Sequence, residues 1–379
     1  MSDQLRSFDN FQAAVVRQKG GPFQLESVTL TPPREYEVVV RIVATGMCHT
    51  DMIARDQVFP VPHPIVLGHE GSGVVEAVGA HVTKVQPGDH VVLTFLSCRH
   101  CRACQEGHPA YCENFNAHNF SGQRAEDGSH ALCGHDHSLL NDRFFGQSSF
   151  GAYAIANERN VVKVRKDAPL ELLGPLGCGV QTGAGTVLNA LQVSAGQSFA
   201  AFGGGAVGLS AVMAAAAVRA TTIFVVDVVP SRLDLALTLG ATHVINSKEQ
   251  DAVAVIREVT GGGVDFAMDS TGIPAVIRNA VLALRPRGTA AVVGASKPDS
   301  VLDLDALDLL QNSKAVRGVI EGDSVPDIFI PRLIDLYLAG HFPFDKLVKF
   351  YPFEQINEAA EDSEKGVTLK PIIRIDAGT

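Results

Sequence analysis

Four cysteines, Cys98, Cys101, Cys104 and Cys112, fall within fifteen residues at the spacing Cys-x2-Cys-x2-Cys-x7-Cys. Sulfur ligands this close let one tight loop fold around a single ion, and four of them leave no coordination position open, as in a closed tetrahedral zinc site. A second group of metal-type residues, Cys48, Gly68-His69-Glu70 and Cys178, is spread along the chain, so a ligand triad there exists only after folding. One closed site and one open site point to an enzyme.

A different chemistry is written at Gly203-Gly204-Gly205-Ala206-Val207-Gly208, which fits Gly-x-Gly-x-x-Gly after an expected strand and at the start of an expected helix. The first glycine permits a tight turn and the second lets the backbone approach a pyrophosphate. The third allows close helix–strand packing, and the helix N-terminus offers free N–H groups to the phosphates. Asp227 ends the next expected strand nineteen residues after Gly208. A carboxylate there accepts from ribose hydroxyls and repels a 2′-phosphate, so NAD is expected rather than NADP.

These residues need elements to hold them. Short β-branched runs broken by Gly and Pro, such as Val38 to Val43 and Val91 to Leu93, have the texture of a partly antiparallel, barrel-like β domain. After Gly179 the rhythm changes. Strands are expected at Ser198 to Phe202, Thr222 to Val226 and Thr242 to Ile245, with helices at Leu209 to Arg219 and Ser231 to Leu239 between them. The alternation resumes through Val264 to Met268, Ile273 to Leu284 and Thr289 to Val293, so the fold class is α/β with a six-stranded parallel sheet of the Rossmann kind. Beyond about Gly322 the mixed, Pro-containing texture returns and is expected to complete the first domain.

Composition limits the function classes. The 379 residues suffice for two or three domains, and 46% hydrophobic with 19% charged residues is the balance of a compact chain. With a net charge of −10 and no basic run interleaved with aromatics, nucleic acid is not an expected partner. Met1 to Asn10 lack a basic start followed by an apolar segment, and no uncharged stretch reaches the ~18 residues of a membrane span, so no membrane is expected. Six thiols at metal-ligand positions call for a reducing compartment, with the cytoplasm expected, and leave Cys133 as a structural thiol. Residues 116 to 145, with His118, His130, His135 and His137, match no ligand spacing and read as a surface loop.

Gly68-His69-Glu70-x2-Gly73-x5-Gly79-x2-Val82 resembles the zinc signature of the medium-chain alcohol dehydrogenases. The cysteine lobe (about 95–113) and the Gly-rich turn also fall where that family has them. Gly318 to Pro326 and Phe342 to Phe353 look like its aryl-alcohol (benzyl alcohol) branch. The resemblance spans essentially the whole chain. It implies a GroES-like, mainly β catalytic domain at 1–179 and 323–379 and an NAD-binding Rossmann domain at 180–322. It also implies two zinc ions, one structural on the four cysteines and one catalytic on Cys48, His69 and Cys178.

Position by position, the resemblance makes Asp51 and Glu70 the carboxylates behind the catalytic ligands. It makes Thr50 the hydroxyl that takes the substrate proton and His49 a pyrophosphate contact. Thr182 and Val207 become nicotinamide-side contacts, Arg232 an adenosine-side contact, and Lys370 a pyrophosphate partner. Phe95 and Phe144 match pocket positions. Ile53 stands where several animal and yeast members carry the histidine that ends a proton relay. Protons are then expected to leave through ribose and water, by way of His49, while Ile53 adds apolar pocket surface. The implied reaction is reversible oxidation of a primary, aromatic alcohol to its aldehyde by NAD in a homodimer or homotetramer. Aliphatic alcohols, polyols and S-hydroxymethylglutathione are the rival substrates, and a non-catalytic derivative of the fold is the rival class.

Overall fold

A computed structural model describes residues 8–375; residues 1–7, part of the N-terminal stretch considered for a leader, lie outside the described residues. Contacts divide the chain into two units, one comprising residues up to Cys178 with Val325–Asp335 and residues from Asp345, the other Gly179–Ser324 with Leu336–Phe344. The division departs from the expected single return after residue 322. Leu336–Phe344 stays with the second unit, where Phe342 and Phe344 are fully buried and Tyr337 packs 4.8 Å from Phe344.

The first unit opens with β1 (Phe8–Val16) and β2 (Phe23–Leu30), a hairpin extended by β4 (Ile65–Val66) and β7 (Leu132–Gly134) into a four-stranded sheet. A second sheet is built on β3 (Glu37–Gly46), which pairs antiparallel with β5 (Glu70–Val78) and with β8 (Tyr153–Asn157). Beyond β5 come β6 (His90–Leu93) and β9 (Val161–Lys163). Val38, Val39, Val40 and Ile42 are all fully buried. The β-branched run noted in the sequence is therefore a strand covered on both faces, for which branched side chains are suited.

In the second unit, β10 (Ser198–Phe202), β11 (Thr222–Asp227), β12 (His243–Asn246), β13 (Val264–Asp269), β14 (Leu284–Val292) and β15 (Ala315–Gly318) form one parallel sheet. Its order, β12-β11-β10-β13-β14-β15, reverses direction at β10, the switch point where such sheets bind ligands. Helix Ala206–Ala217 follows β10, and its alanine- and valine-rich sequence lets Gly208 to Ala215 be buried without a gap. Helices Pro230–Thr238 and Pro274–Leu282 both begin with Pro at the first turn, where its missing N–H costs nothing. The chain then completes the first unit's sheet with β16 (Val348–Pro352) and β17 (Lys370–Arg374), the latter pairing with β3. Among the described residues, no helix is long and apolar enough to cross a membrane.

Candidate metal centre and dinucleotide loop

Strand β3 ends at Gly46, and Cys48 caps the short helix His49–Arg55 with an extended backbone. Asp51, three residues on, is fully buried and organises the corner. Its carboxylate accepts from the backbone N–H of Cys48 (2.9 Å) and of Gly68 (3.0 Å) and sits 2.9 Å from Nδ1 of His69. With Nδ1 donating to Asp51, the lone pair of His69 lies on Nε2. That nitrogen is buried and has no hydrogen-bond partner, a costly state unless an ion completes it.

One ligand atom each from Cys48, His69, Glu70 and Cys178 lies within 4.8 Å of the others. Burial disfavours an imidazolium at His69, but Asp51 and Cys48 outweigh it and raise its pKa well above the ordinary value. A place that stabilises one positive charge on Nε2 stabilises a metal cation in the same position. Cys178, as a hydrogen-bond partner, and the charge of Lys370 hold the Cys48 thiol well below its ordinary pKa, so thiolate is the favoured form. Two sulfurs and one imidazole nitrogen fit zinc with one position left for substrate.

Glu70 is also within this cluster, but Lys370 engages both its oxygens at 2.9 and 3.0 Å. The ammonium also lies 3.3 Å from the Met47 carbonyl and is only 3% exposed. Burial opposes its charge, but Glu70 and Cys48 outweigh burial and raise its pKa. The donors of Lys370 thus reach inward to Glu70 and the Met47 carbonyl, which ties the expected pyrophosphate partner to the metal corner. The pairing also explains Gly46: a Cβ there would lie 2.1 Å from Glu70 Oε2.

Thr50 is half-buried, its Oγ1 3.7 Å from Cys48 Sγ, while His49 is exposed and Ile53 is half-buried on the same helix. Phe144 meets the edge of the His69 ring at 5.4 Å. Phe95 stands further back, 5.8 Å from Phe115, and is buried. Two residues at this centre were not anticipated. Phe145 stacks on His69 at 4.4 Å and 22°, and Gln147 bridges the Gly71 N–H (3.1 Å) and the carbonyls of His69 (2.9 Å) and Thr94 (3.2 Å). The Phe-Phe-Gly run was a visible signal for the first; nothing local marked the second.

The sulfurs of Cys98, Cys101, Cys104 and Cys112 likewise lie within 4.8 Å of one another. Backbone N–H groups of Cys98, Cys101 and Glu113 point at Cys112, Cys98 and Cys101 sulfurs at 3.3, 3.2 and 3.5 Å. Burial pushes Cys104 up to about 12, whereas at Cys98 the N–H groups of His100 and Cys101 overcome burial and bring the thiol down to about 6. Packed together, these sulfurs cannot all ionise alone; a divalent cation removes that conflict. In the 116–145 segment, β7 is paired into a sheet, and among the described residues its histidines form no metal-type group.

In the second unit the three fingerprint glycines do separate jobs. Gly203 has φ +106°, in the region favoured by glycine, and a Cβ on Gly208 would sit 1.8 Å from the Gly203 carbonyl. A Cβ on Gly205 would meet nothing within 4 Å, leaving the helix N-terminus open to a phosphate. Asp227 is buried; Oδ2 accepts from Gly204 N–H at 2.6 Å, Oδ1 from Val228 and Val229 at 2.7 and 2.9 Å, and Arg232 lies 3.7 Å away. Its position is thus fixed. Thr182 and Val207 are half-buried in this unit, whereas His49, Thr50, Ile53 and Lys370 belong to the first.

Residues 34–166 match the alcohol dehydrogenase GroES-like domain family and residues 206–338 the zinc-binding dehydrogenase family. The geraniol dehydrogenase of Castellaniella defragrans is 50% identical over 369 residues, covering 97% of this chain and 98% of the relative. An alcohol dehydrogenase zinc-binding domain protein from Burkholderia ambifaria superimposes with a TM-score of 0.96 at 59% identity, covering 98% and 99% of the two chains. The benzyl alcohol dehydrogenase of Acinetobacter calcoaceticus gives 0.94 at 55% identity, covering 97% and 100%.

Proposed function

We propose, for a chain that belongs to the zinc-binding alcohol dehydrogenase family, that it oxidises a primary benzyl-type alcohol reversibly to its aldehyde with NAD. The observation that carries the reading is the orphaned, Asp51-oriented Nε2 of His69 facing the sulfurs of Cys48 and Cys178. Zinc bound there would supply the positive charge that acidifies a hydroxyl beside it. Asp51 keeps the ligating tautomer of His69 in place. Thr50 takes the hydroxyl proton, His49 meets the pyrophosphate, and Asp227 accepts from the ribose. Thr182 and Val207 serve the nicotinamide side and Arg232 the adenosine side. A fixed carboxylate at Asp227 supports NAD over its 2′-phosphorylated form.

The substrate class is supported by the two named relatives. Benzyl alcohol and geraniol are both primary alcohols whose carbinol carbon adjoins an unsaturated carbon, so the aldehyde formed is conjugated. The geraniol relative favours a second reading, an allylic terpenoid alcohol, on the same chemistry. A panel of benzyl alcohol, geraniol and ethanol, each with NAD and NADP, separates them by kcat/KM. Benzyl alcohol with NAD ranks first on this proposal, and an ethanol or NADP preference refutes it.

Two zinc ions per chain, a cytoplasmic location and a homodimer or homotetramer complete the proposal. Strand β15 supports assembly: it is the last strand of its sheet, all four of its residues are exposed, and Leu310 (77%) and Ile320 (49%) lie exposed nearby in sequence. Open apolar edges of this kind invite pairing. Light scattering should give a multiple of the 40.2 kDa chain; a monomer at micromolar concentration contradicts this.

A further inference from the structure

Between Arg143 and Ser148, three non-glycine residues occupy left-handed backbone, Arg143 (φ 68°), Phe145 (φ 51°) and Ser148 (φ 51°), around Gly146 (φ 66°). Such conformations persist only where the surroundings over-determine them, and they gather where a function needs a fixed shape. Here the surroundings are a buried ionic staple. Glu37, at the start of β3, accepts from Arg124 at 2.7 and 2.9 Å, from the guanidinium of Arg143, and from the Arg34 N–H at 2.9 Å. All three charged residues are 5–6% exposed. Arg143 also donates to the Ile155 carbonyl at 2.8 Å and Arg124 to that of His130 at 2.8 Å. One carboxylate therefore ties both ends of the 124–143 stretch to the strand that leads into Cys48.

The residues just after Arg143 are the ones that grip His69. Asp51 fixes Nδ1 but leaves the imidazole able to rock about that hydrogen bond. Phe145, lying flat on the ring at 4.4 Å, and Phe144, against its edge at 5.4 Å, close that freedom, while Gln147 holds the His69 carbonyl. We propose that Glu37 is a positioning residue for His69: by gripping Arg143 it fixes the turn whose two rings and one amide aim Nε2 at the metal. The inference rests on the zinc dehydrogenase reading, since it takes Nε2 as a ligand atom.

The full chain is tested with cobalt(II) in the three-ligand site and with a chromophoric chelator competing for zinc. Glu37→Gln and Phe145→Leu should each weaken zinc there about tenfold or more, the scale set by groups that orient metal ligands. They should also broaden the visible cobalt bands and lower kcat more than KM, with zinc on the four cysteines retained. If Glu37→Gln does not fold, Glu37→Asp and Arg143→Lys, which keep the charges and shorten the reach, carry the same expectation. Folded variants with a lower Tm but the parent's zinc affinity and cobalt spectrum overturn the proposal, because Glu37 then serves stability alone. A parent chain that takes cobalt only on the four cysteines overturns both this inference and the zinc reading beneath it.

Discussion

Replacing Asp51 by asparagine preserves the shape of the metal corner and changes its donors. The carboxylate now accepts from three groups: Cys48 N–H, Gly68 N–H and His69 Nδ1. An amide has one accepting oxygen. If that oxygen takes the Cys48 N–H, the NH2 faces Gly68 N–H and Nδ1, so His69 accepts and its proton moves to Nε2. If the oxygen faces Gly68 and His69, the NH2 opposes the Cys48 N–H instead. Either way one buried backbone donor is left unpaired, at about 1–3 kcal/mol of stability. Removing a group that orients a metal ligand weakens metal binding about 10–100-fold, or about 1.4–2.7 kcal/mol at 1.36 kcal/mol per decade. Chelator competition on Asp51→Asn reads the zinc affinity, with kcat measured in saturating zinc. Parent-like affinity would show that the carboxylate is dispensable for orienting His69, an amide oxygen on Nδ1 being enough.

Three further outcomes rest on the same geometry. Asp227→Ala removes the carboxylate 3.7 Å from Arg232; kcat/KM with NAD should fall roughly tenfold or more while the value with NADP holds or rises, and an unchanged NAD/NADP ratio would count against the ribose contact. Lys370→Met leaves Glu70 buried without its cation, so a loss of about 3–5 kcal/mol is expected, visible in the melting temperature and largely restored in Lys370→Arg; a parent-like Tm would mean the pair contributes little. Ile53→His places a titratable group on the helix of Thr50, and the pH–rate profile should shift with a changed solvent isotope effect; identical profiles remove the support for a relay.

Legibility in the sequence tracked the range of the contacts. The cysteine lobe and the Gly-rich turn are local, so spacing alone carried them, and the three glycines have the separate roles their positions suggest. The six-stranded parallel sheet was legible because each strand is a short apolar run with a helix between it and the next. The grouping of Cys48, His69 and Cys178 was not readable from spacing, because they lie at the end of β3, just before β5 and after the turn Gly174–Gly177, and meet only in the fold; the family resemblance supplied it. Lys370 shows what remained hidden. Its inward pairing depends on β17 and β5 flanking β3, with Gly46 opposite both Ile372 and Glu70, a register no local pattern encodes. The same holds for Glu37, whose partners lie 87 and 106 residues away, and for Leu336–Phe344, which belongs to the second unit although the chain on both sides of it belongs to the first.

All of the proposed chemistry depends on a cation held among Cys48, His69 and Cys178. Anomalous diffraction at the zinc edge, from crystals of the chain purified without chelator, looks for that ion itself. One strong peak is expected within bonding distance of Cys48 Sγ, His69 Nε2 and Cys178 Sγ, and a second among the four clustered cysteines. A peak at the four cysteines alone, in protein that still oxidises alcohol, would contradict this.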